Sequence, residues 1–244
     1  VTSAATLPQT LTSAEFAAAV DRIEPAAKNL VVVFDCDGTL WAPDSGSGFM
    51  HWSIESGLLS RDAVDWIDQR YRKYLRGEVD ELAICGEMVQ VYQNLHEDEL
   101  RHAAADFFAK RIAHTLFPDL RRAVETLQSR GAEVWAVSST NNWVVEEGVK
   151  LFNIPANRVL AARVAVENGI VTDRLLDVPT DEGKVASLNR AGVHHPDAVF
   201  GNSIHDAAML AIARRAFPIN PTPALIERSA QQNWPVFFPA LSRA

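Results

Sequence analysis

Apolar positions along the chain change period several times, and each change predicts an element. Thr12 and Glu15 form a capping-box pattern ahead of Phe16, Val20 and Ile23, which predicts an opening helix ending near Pro25. Residues 30–35, LVVVFD, are a continuous β-branched run of the kind found in a strand covered on both faces of a parallel sheet. EVWAVS (133–138) and DAVFG (197–201) repeat that pattern. Between these runs lie helical stretches: PDLRRAVETLQSRG starts with Pro118 in a first turn and stops at Gly131, and NNWVVEEGVKLF follows the second strand. Strands alternating with helices predict an α/β fold, a doubly wound parallel sheet of Rossmann-like type. Such sheets gather ligands at the carboxyl ends of their strands, where Asp35, Ser138 and Asn202 stand.

The region 41–117 has no β-branched run. Its apolar residues keep helical spacing instead, as in Val64, Ile67, Tyr71 and Tyr74, then Leu82, Cys85, Val89 and Tyr92. A further helix in EDELRHAAADFFAKRIAHTL would pack through Leu100, Ala104, Phe107, Phe108 and Ile112. The expected organisation is a catalytic core from 1–40 and 118–244, with 41–117 inserted as a helical cap, or lid. The stretch APDSGSGF (42–49) would be the flexible start of that cap. Asn168-Gly169 predicts a hairpin turn within RVAVENGIVTDRL. The closing AFPINPTPALIERSAQQNWPVFF predicts a short strand, a helix and an aromatic end.

Composition narrows the partner. A chain of 244 residues with 48% hydrophobic content is long enough for a packed core with an insertion. Its formal net charge of −8 carries no electrostatic footprint for nucleic acid or an anionic membrane surface, so the expected partner is a small molecule. No apolar run reaches the roughly 18 residues of a membrane span, and the opening VTSAATLPQT has neither the basic region nor the apolar core of a signal peptide. The chain begins at Val1 rather than Met, which is also what removal of a leader would leave. Two cysteines, Cys36 and Cys85, make no disulfide framework, and a cytoplasmic location is expected.

The chemistry concentrates in FDCDGTL. At a strand end, with Gly38 releasing the backbone, Asp35 and Asp37 can face one cavity. A bare D-x-D is common on surfaces, but here it ends an apolar strand and is followed by Gly-Thr and an apolar residue. VVVFDCDGTL resembles the first motif of the haloacid dehalogenase superfamily. Three more signatures of that superfamily follow in order: VWAVSST, the lysine of DEGKVASL, and FGNSIHDAAML. The matches run from about residue 30 to 225, and the position of the helical insertion resembles the phosphoserine-phosphatase-like branch.

The resemblance implies a phosphatase in which Asp35 is the nucleophile and Asp37 the general acid and base. That assignment suits the chemistry. Phosphate monoesters resist anionic nucleophiles, so the target must be held in line and its charge neutralised. Attack by Asp35 splits hydrolysis into two steps through an aspartyl phosphate, and Asp37 then handles the protons. Thr39, Ser138, Ser139 and nearby backbone amides can donate to phosphoryl oxygens, and Lys184 adds a positive charge. Mg²⁺ is the implied cofactor, with oxygen ligands expected from Asp35, the Asp37 carbonyl, Asn202 and Asp206, the last binding directly or through water. Asn202 departs from the family, which most often has Asp there. Its amide oxygen is a competent ligand, so coordination number can be kept while one negative charge is lost.

Substrate readers are less sharply marked. Asp44 matches the position of a Glu that helps phosphoserine phosphatases recognise an amino group, although it is a shorter acid. Trp41 and Phe49, with Met50 and Trp52, could form an apolar wall or belong to the cap core. His205 could orient substrate or a neighbouring carboxylate. His194 and His195 read as a solvated loop. Three alternatives stand beside hydrolysis. Phosphotransfer to an alcohol shares its first step, a phosphate-ester-binding module silenced by Asn202 shares its pocket, and dehalogenation leaves Asp37 and the metal loop without a use.

Overall fold

β-branched and aromatic runs set the sheet. The computed structural model describes residues 7–241, so most of the opening stretch read above for a leader lies outside the described residues. The chain starts with β1 (Thr10–Leu11) and α1 (Ser13–Asp21), the latter closed by the expected capping box of Thr12 and Glu15. The first of the β-branched runs becomes β2 (Val31–Phe34), followed by α2 (Ser45–Glu55), α3 (Arg61–Leu75), α4 (Glu81–Gln90) and α5 (Glu97–Phe107). Next come α6 (Pro118–Ser129), β3 (Glu133–Asn141), α7 (Asn142–Lys150) and the hairpin β4 (Val159–Glu167) and β5 (Ile170–Asp177). The described chain closes with α8 (Glu182–Arg190), β6 (Ala198–Gly201), α9 (Ala207–Ala211), β7 (Ala216–Pro218), α10 (Pro223–Gln232) and β8 (Val236–Phe237). The architecture is α/β with a mostly parallel sheet.

Two units divide the chain. The first comprises 1–42, 115–137 and 181–244. There β2 lies between β3 and β6, and β7 flanks β6, all parallel. Phe34 stacks on Phe200 at 4.2 Å between ring centroids, Phe200 on Phe217 at 4.7 Å, and Phe16 of α1 on Phe237 at 4.2 Å. These rings are all but fully buried, so the aromatic column fixes the strands whose ends carry the polar residues.

A buried carboxylate ties the strand starts together. Asp197, at 3% exposure, accepts from the backbone N–H of Ala26 at 2.7 Å and Val31 at 2.9 Å, and from Arg214 at 3.2 Å. Replacing Asp197 with Ala leaves those amides without their acceptor. We expect it to lower stability by about 2–4 kcal/mol in urea unfolding, with Asp197→Asn costing less because one acceptor oxygen remains.

The second unit comprises 43–114 and 138–180. Between residues 45 and 107 lie the four helices α2 to α5, as the spacing predicts, and Leu100, Ala104, Phe107, Phe108 and Ile112 are buried, whereas Leu82 is exposed. The Gly-Ser stretch departs from expectation. Rather than a flexible segment it is the first turn of α2, because Asp44 caps the helix by accepting from Ser47 N–H at 2.9 Å and Phe49 and Met50 are buried. Close packing also explains its glycines: a Cβ on Gly46 would meet Thr140 Oγ1 at 2.6 Å, and one on Gly48 would meet the Phe107 ring at 3.1 Å. β3 runs three residues past the expected end at Ser138, and Asn141 then caps α7 by accepting from Val144 N–H at 3.0 Å. β4 and β5 pair antiparallel across the predicted turn, where Asn168 and Gly169 both take positive φ.

Candidate active site

In the first unit β2 ends at Phe34 and the chain turns at once. Asp35 N–H still donates to the Phe200 carbonyl at 2.8 Å, which holds the residue in the line of the sheet. Leu40 N–H returns to the Cys36 carbonyl at 2.7 Å and Gly38 N–H to the Trp41 carbonyl at 2.7 Å, so residues 36–41 form a tight loop. Gly38 takes φ +71°, and any Cβ there would run into the Asn202 side chain. The loop after β2 and the loop after β6 therefore touch through Gly38 and Asn202.

Asp35 is buried and held at both oxygens. Thr39 Oγ1 donates to Oδ2 at 2.9 Å, and Lys184 Nζ donates to Oδ1 at 2.8 Å. Lys184 Nζ also reaches Asp206 Oδ1 at 2.5 Å and the Val137 carbonyl at 3.3 Å. The other Asp206 oxygen accepts from the backbone N–H groups of Asn202 at 2.8 Å and Ser203 at 2.9 Å. Asp206 thus organises its own loop, an approach made possible by Gly201, where a Cβ would meet Asp206 Cβ at 2.7 Å. Asp37 is partly exposed and accepts from the Trp41 indole N–H at 2.5 Å. Trp41 itself is fully buried.

Electrostatics follow from this crowding. Burial, and then the charge of Asp206, push the Asp35 carboxyl up to about 7 against the opposing pull of Lys184. For Lys184, burial favours the neutral amine, yet Asp206 and Asp35 outweigh it and hold the ammonium above the ordinary lysine range. Burial raises the Cys36 thiol well above its usual range, so this cysteine is an inert filler beside the site.

The second unit carries the remaining candidates. Ser138 Oγ is buried and accepts from Thr140 N–H at 3.2 Å. Ser139 meets the Cys85 thiol, which in turn donates to Glu81 at 3.4 Å. Tyr74 donates to Glu81 at 2.6 Å, and burial first, then the charges of Asp44 and Glu81, raise the Tyr71 phenol above its ordinary range. Phe49 is buried against Tyr92 and Phe107 with ring centroids at 5.4 Å from each, which places it in the core of this unit.

Asp35, Thr39, Lys184 and Asp206 are thus bonded to one another, with Asn202 against Gly38 in the adjoining loop. His205 lies on Asp181, Nδ1 to Oδ1 at 2.9 Å. The Trp41 hydrogen bond to Asp37 and the Glu81, Tyr71 and Tyr74 group were not anticipated. The Trp41 contact had a local signal, because a donor four residues after Asp37 can return to it across a tight loop. Glu81 had a weaker one, because its partners Tyr74 and Cys85 are near in sequence, but Ser139, which meets Cys85, is remote.

The chain resembles known proteins in sequence and fold. The family model described as haloacid dehalogenase-like hydrolase matches residues 32–211. Over 219 residues the chain is 25% identical to a histidinol-phosphatase of Neisseria meningitidis serogroup C (strain 8013), covering 86% of this chain and 98% of that protein. A structure from Bordetella pertussis Tohama I, described as having unknown function, superposes with TM-score 0.77 at 22% identity, covering 86% of this chain and 99% of the other. A substrate-bound phosphoserine phosphatase shares the fold at TM-score 0.60 and 17% identity, covering 88% and 95%.

Proposed function

The chain belongs to the haloacid dehalogenase-like hydrolase family and is a phosphatase, and on that premise we propose that it hydrolyses a small, amine-bearing phosphate monoester through an aspartyl phosphate on Asp35. The observation that carries this reading is the buried Asp35 carboxylate, aimed by Thr39 on one oxygen and Lys184 on the other. A carboxylate fixed at both oxygens has lost the rotational freedom that in-line attack would otherwise have to freeze out. An Asp35 oxygen bonds to phosphorus as the P–O bond to the alcohol breaks, and Asp37 gives its proton to the leaving oxygen. Water then attacks phosphorus, Asp37 takes back a proton, and inorganic phosphate leaves with the Asp35 carboxylate restored. Trp41 holds Asp37 in one rotamer for both transfers. Lys184, Thr39, Ser138 and Ser139 serve the phosphoryl oxygens; Ser138 directly follows Val137, whose carbonyl receives Lys184.

Mg²⁺ fits this donor set. Asp35, Asp37 and Asp206 against Lys184 alone leave two formal negative charges, and the Asp35 carboxyl is raised by burial first and by the charge of Asp206 second. Among the described residues no three His, Cys, Asp or Glu side chains form a metal-binding group. The ligands would be the Asp35 carboxylate, the Asp37 carbonyl and the Asn202 amide oxygen, with Asp206 committed to Lys184 and its loop. When bound, the ion would neutralise phosphoryl charge. Asn202→Asp should keep turnover and lower the Mg²⁺ concentration for half-maximal rate by roughly tenfold, while Asn202→Ala raises it. An inactive Asp variant together with an unchanged Mg²⁺ requirement in the Ala variant would remove Asn202 from the set.

The leaving group is proposed to be cationic. Glu81, which accepts from the Tyr74 hydroxyl, is the carboxylate proposed to meet an ammonium or imidazolium. The histidinol-phosphatase relative points the same way, so histidinol phosphate heads the panel and phosphoserine follows. Glu81→Gln should raise KM for histidinol phosphate about tenfold or more and leave a neutral monoester such as glycerol phosphate unchanged. Equal effects on both esters would move the specificity elsewhere. With no basic footprint and two thiols outside any disulfide, the proposed setting is cytoplasmic.

A further inference from the structure

Lys184 must present one nitrogen to Asp35, Asp206 and Val137 at once. Its side chain has four rotatable bonds, so the position of that nitrogen depends on where α8 begins. Asp181 stands at the cap position just before the helix, and its side chain makes no capping bond to it. Asp181 instead turns its Oδ1 to His205 Nδ1 at 2.9 Å, a contact in which the imidazole donates and the carboxylate accepts.

The backbone of Asp181 makes this notable. It sits at φ 49°, ψ −128°, a region costly for any residue with a Cβ. Among the described residues every other non-glycine residue at positive φ is Asn, which tolerates that region better. If the turn alone mattered, glycine would serve it without strain. An aspartate there is explained by a use for its carboxylate, and His205 supplies one.

The geometry points to Asp181 and His205 as a pair of positioning residues that hold Lys184 in register with Asp206. Asp181 lies three residues before Lys184, and His205 lies immediately before Asp206. One contact therefore fastens the two chain segments that present the halves of the buried Lys184–Asp206 pair. Both members of the outer contact are partly exposed, at 33% and 44% for their side chains, so it adds little to stability and acts through geometry. The effect on turnover rests on the phosphatase reading above.

Asp181→Gly separates the two roles, because it relieves the backbone and removes the carboxylate together. We expect its melting temperature to equal or exceed wild type while kcat falls about 10- to 100-fold and KM stays within about twofold. Orthovanadate, a phosphoryl-transfer analogue, should bind more weakly by the same factor as kcat/KM. His205→Ala should show the same loss and the double variant no more than either alone, while Asp181→Asn, which keeps an acceptor oxygen, restores most of the rate. Wild-type kcat in Asp181→Gly, or losses that add in the double variant, would overturn the inference and leave the phosphatase reading intact. A wild-type protein that neither turns over nor binds orthovanadate would overturn both.

Discussion

Asp35→Asn is expected to abolish phosphate release, by on the order of 10⁴-fold or more, while the protein folds normally. An amide is a poor nucleophile toward phosphorus, and no other carboxylate of the cluster can replace it. Asp206 has one oxygen on Lys184 and the other on two backbone amides, and Asp37 is tied to the Trp41 indole. Stability should behave in the opposite direction from activity. The Asp35 carboxyl is raised from 3.8 to about 7 by burial and then by Asp206. A raised folded-state value means that its contribution to stability is fully present below 3.8 and is lost as pH climbs through about 7. Metal-free wild type should therefore lose on the order of a few kcal/mol across that window, and Asp35→Asn should not. Thermal melts in chelator across the pH range check both halves.

Lys184→Met should damage turnover and folding together. The side chain is 3% exposed and bridges two buried carboxylates. Methionine of similar length fills the space but leaves Asp35 and Asp206 facing each other without a cation. Breaking a buried pair from one side costs about 3–5 kcal/mol, so a shift of that size is expected in urea unfolding. The penalty should shrink as pH falls and Asp35 takes up a proton, which a purely steric defect would not do. Turnover should drop by about 10³-fold, because the phosphoryl charge and the nucleophile lose the same partner. A variant with wild-type stability at neutral pH would show that the ammonium is not the counter-charge described above.

Much of this arrangement was legible from local pattern. The runs ending at Phe34 and Gly201 each declare a strand end with polar residues just after it, and parallel topology brings such ends to one edge, whereas Lys184 was marked only by the resemblance to the family's motifs. What pattern could not reveal depends on side-chain contacts across sequence. The Gly-Ser stretch at 42–49 looks like a loop by composition, but Asp44 and the burial of Phe49 and Met50 make it a helix. Trp41 looks like a wall residue until its indole is found on Asp37. His205 reads equally as a group orienting substrate or a neighbouring carboxylate, and only the structure reveals that the carboxylate is Asp181, held in a conformation that no residue-level propensity would assign to an aspartate. Asn202 was legible as a departure in chemistry, and its close fit over Gly38 shows that the loop keeps room for a side chain of that size.

The proposed activity is that of a Mg²⁺-dependent phosphatase with Asp35 as nucleophile. Its most direct measurement is inorganic phosphate released from histidinol phosphate, phosphoserine and glycerol phosphate by wild type, with Mg²⁺ or with chelator. Release is expected to require Mg²⁺, to favour the amine-bearing esters and to exceed that of Asp35→Asn by the factor given above. A folded protein that binds these esters but releases no phosphate under either condition would contradict it, and would make the chain a phosphate-ester-binding module instead.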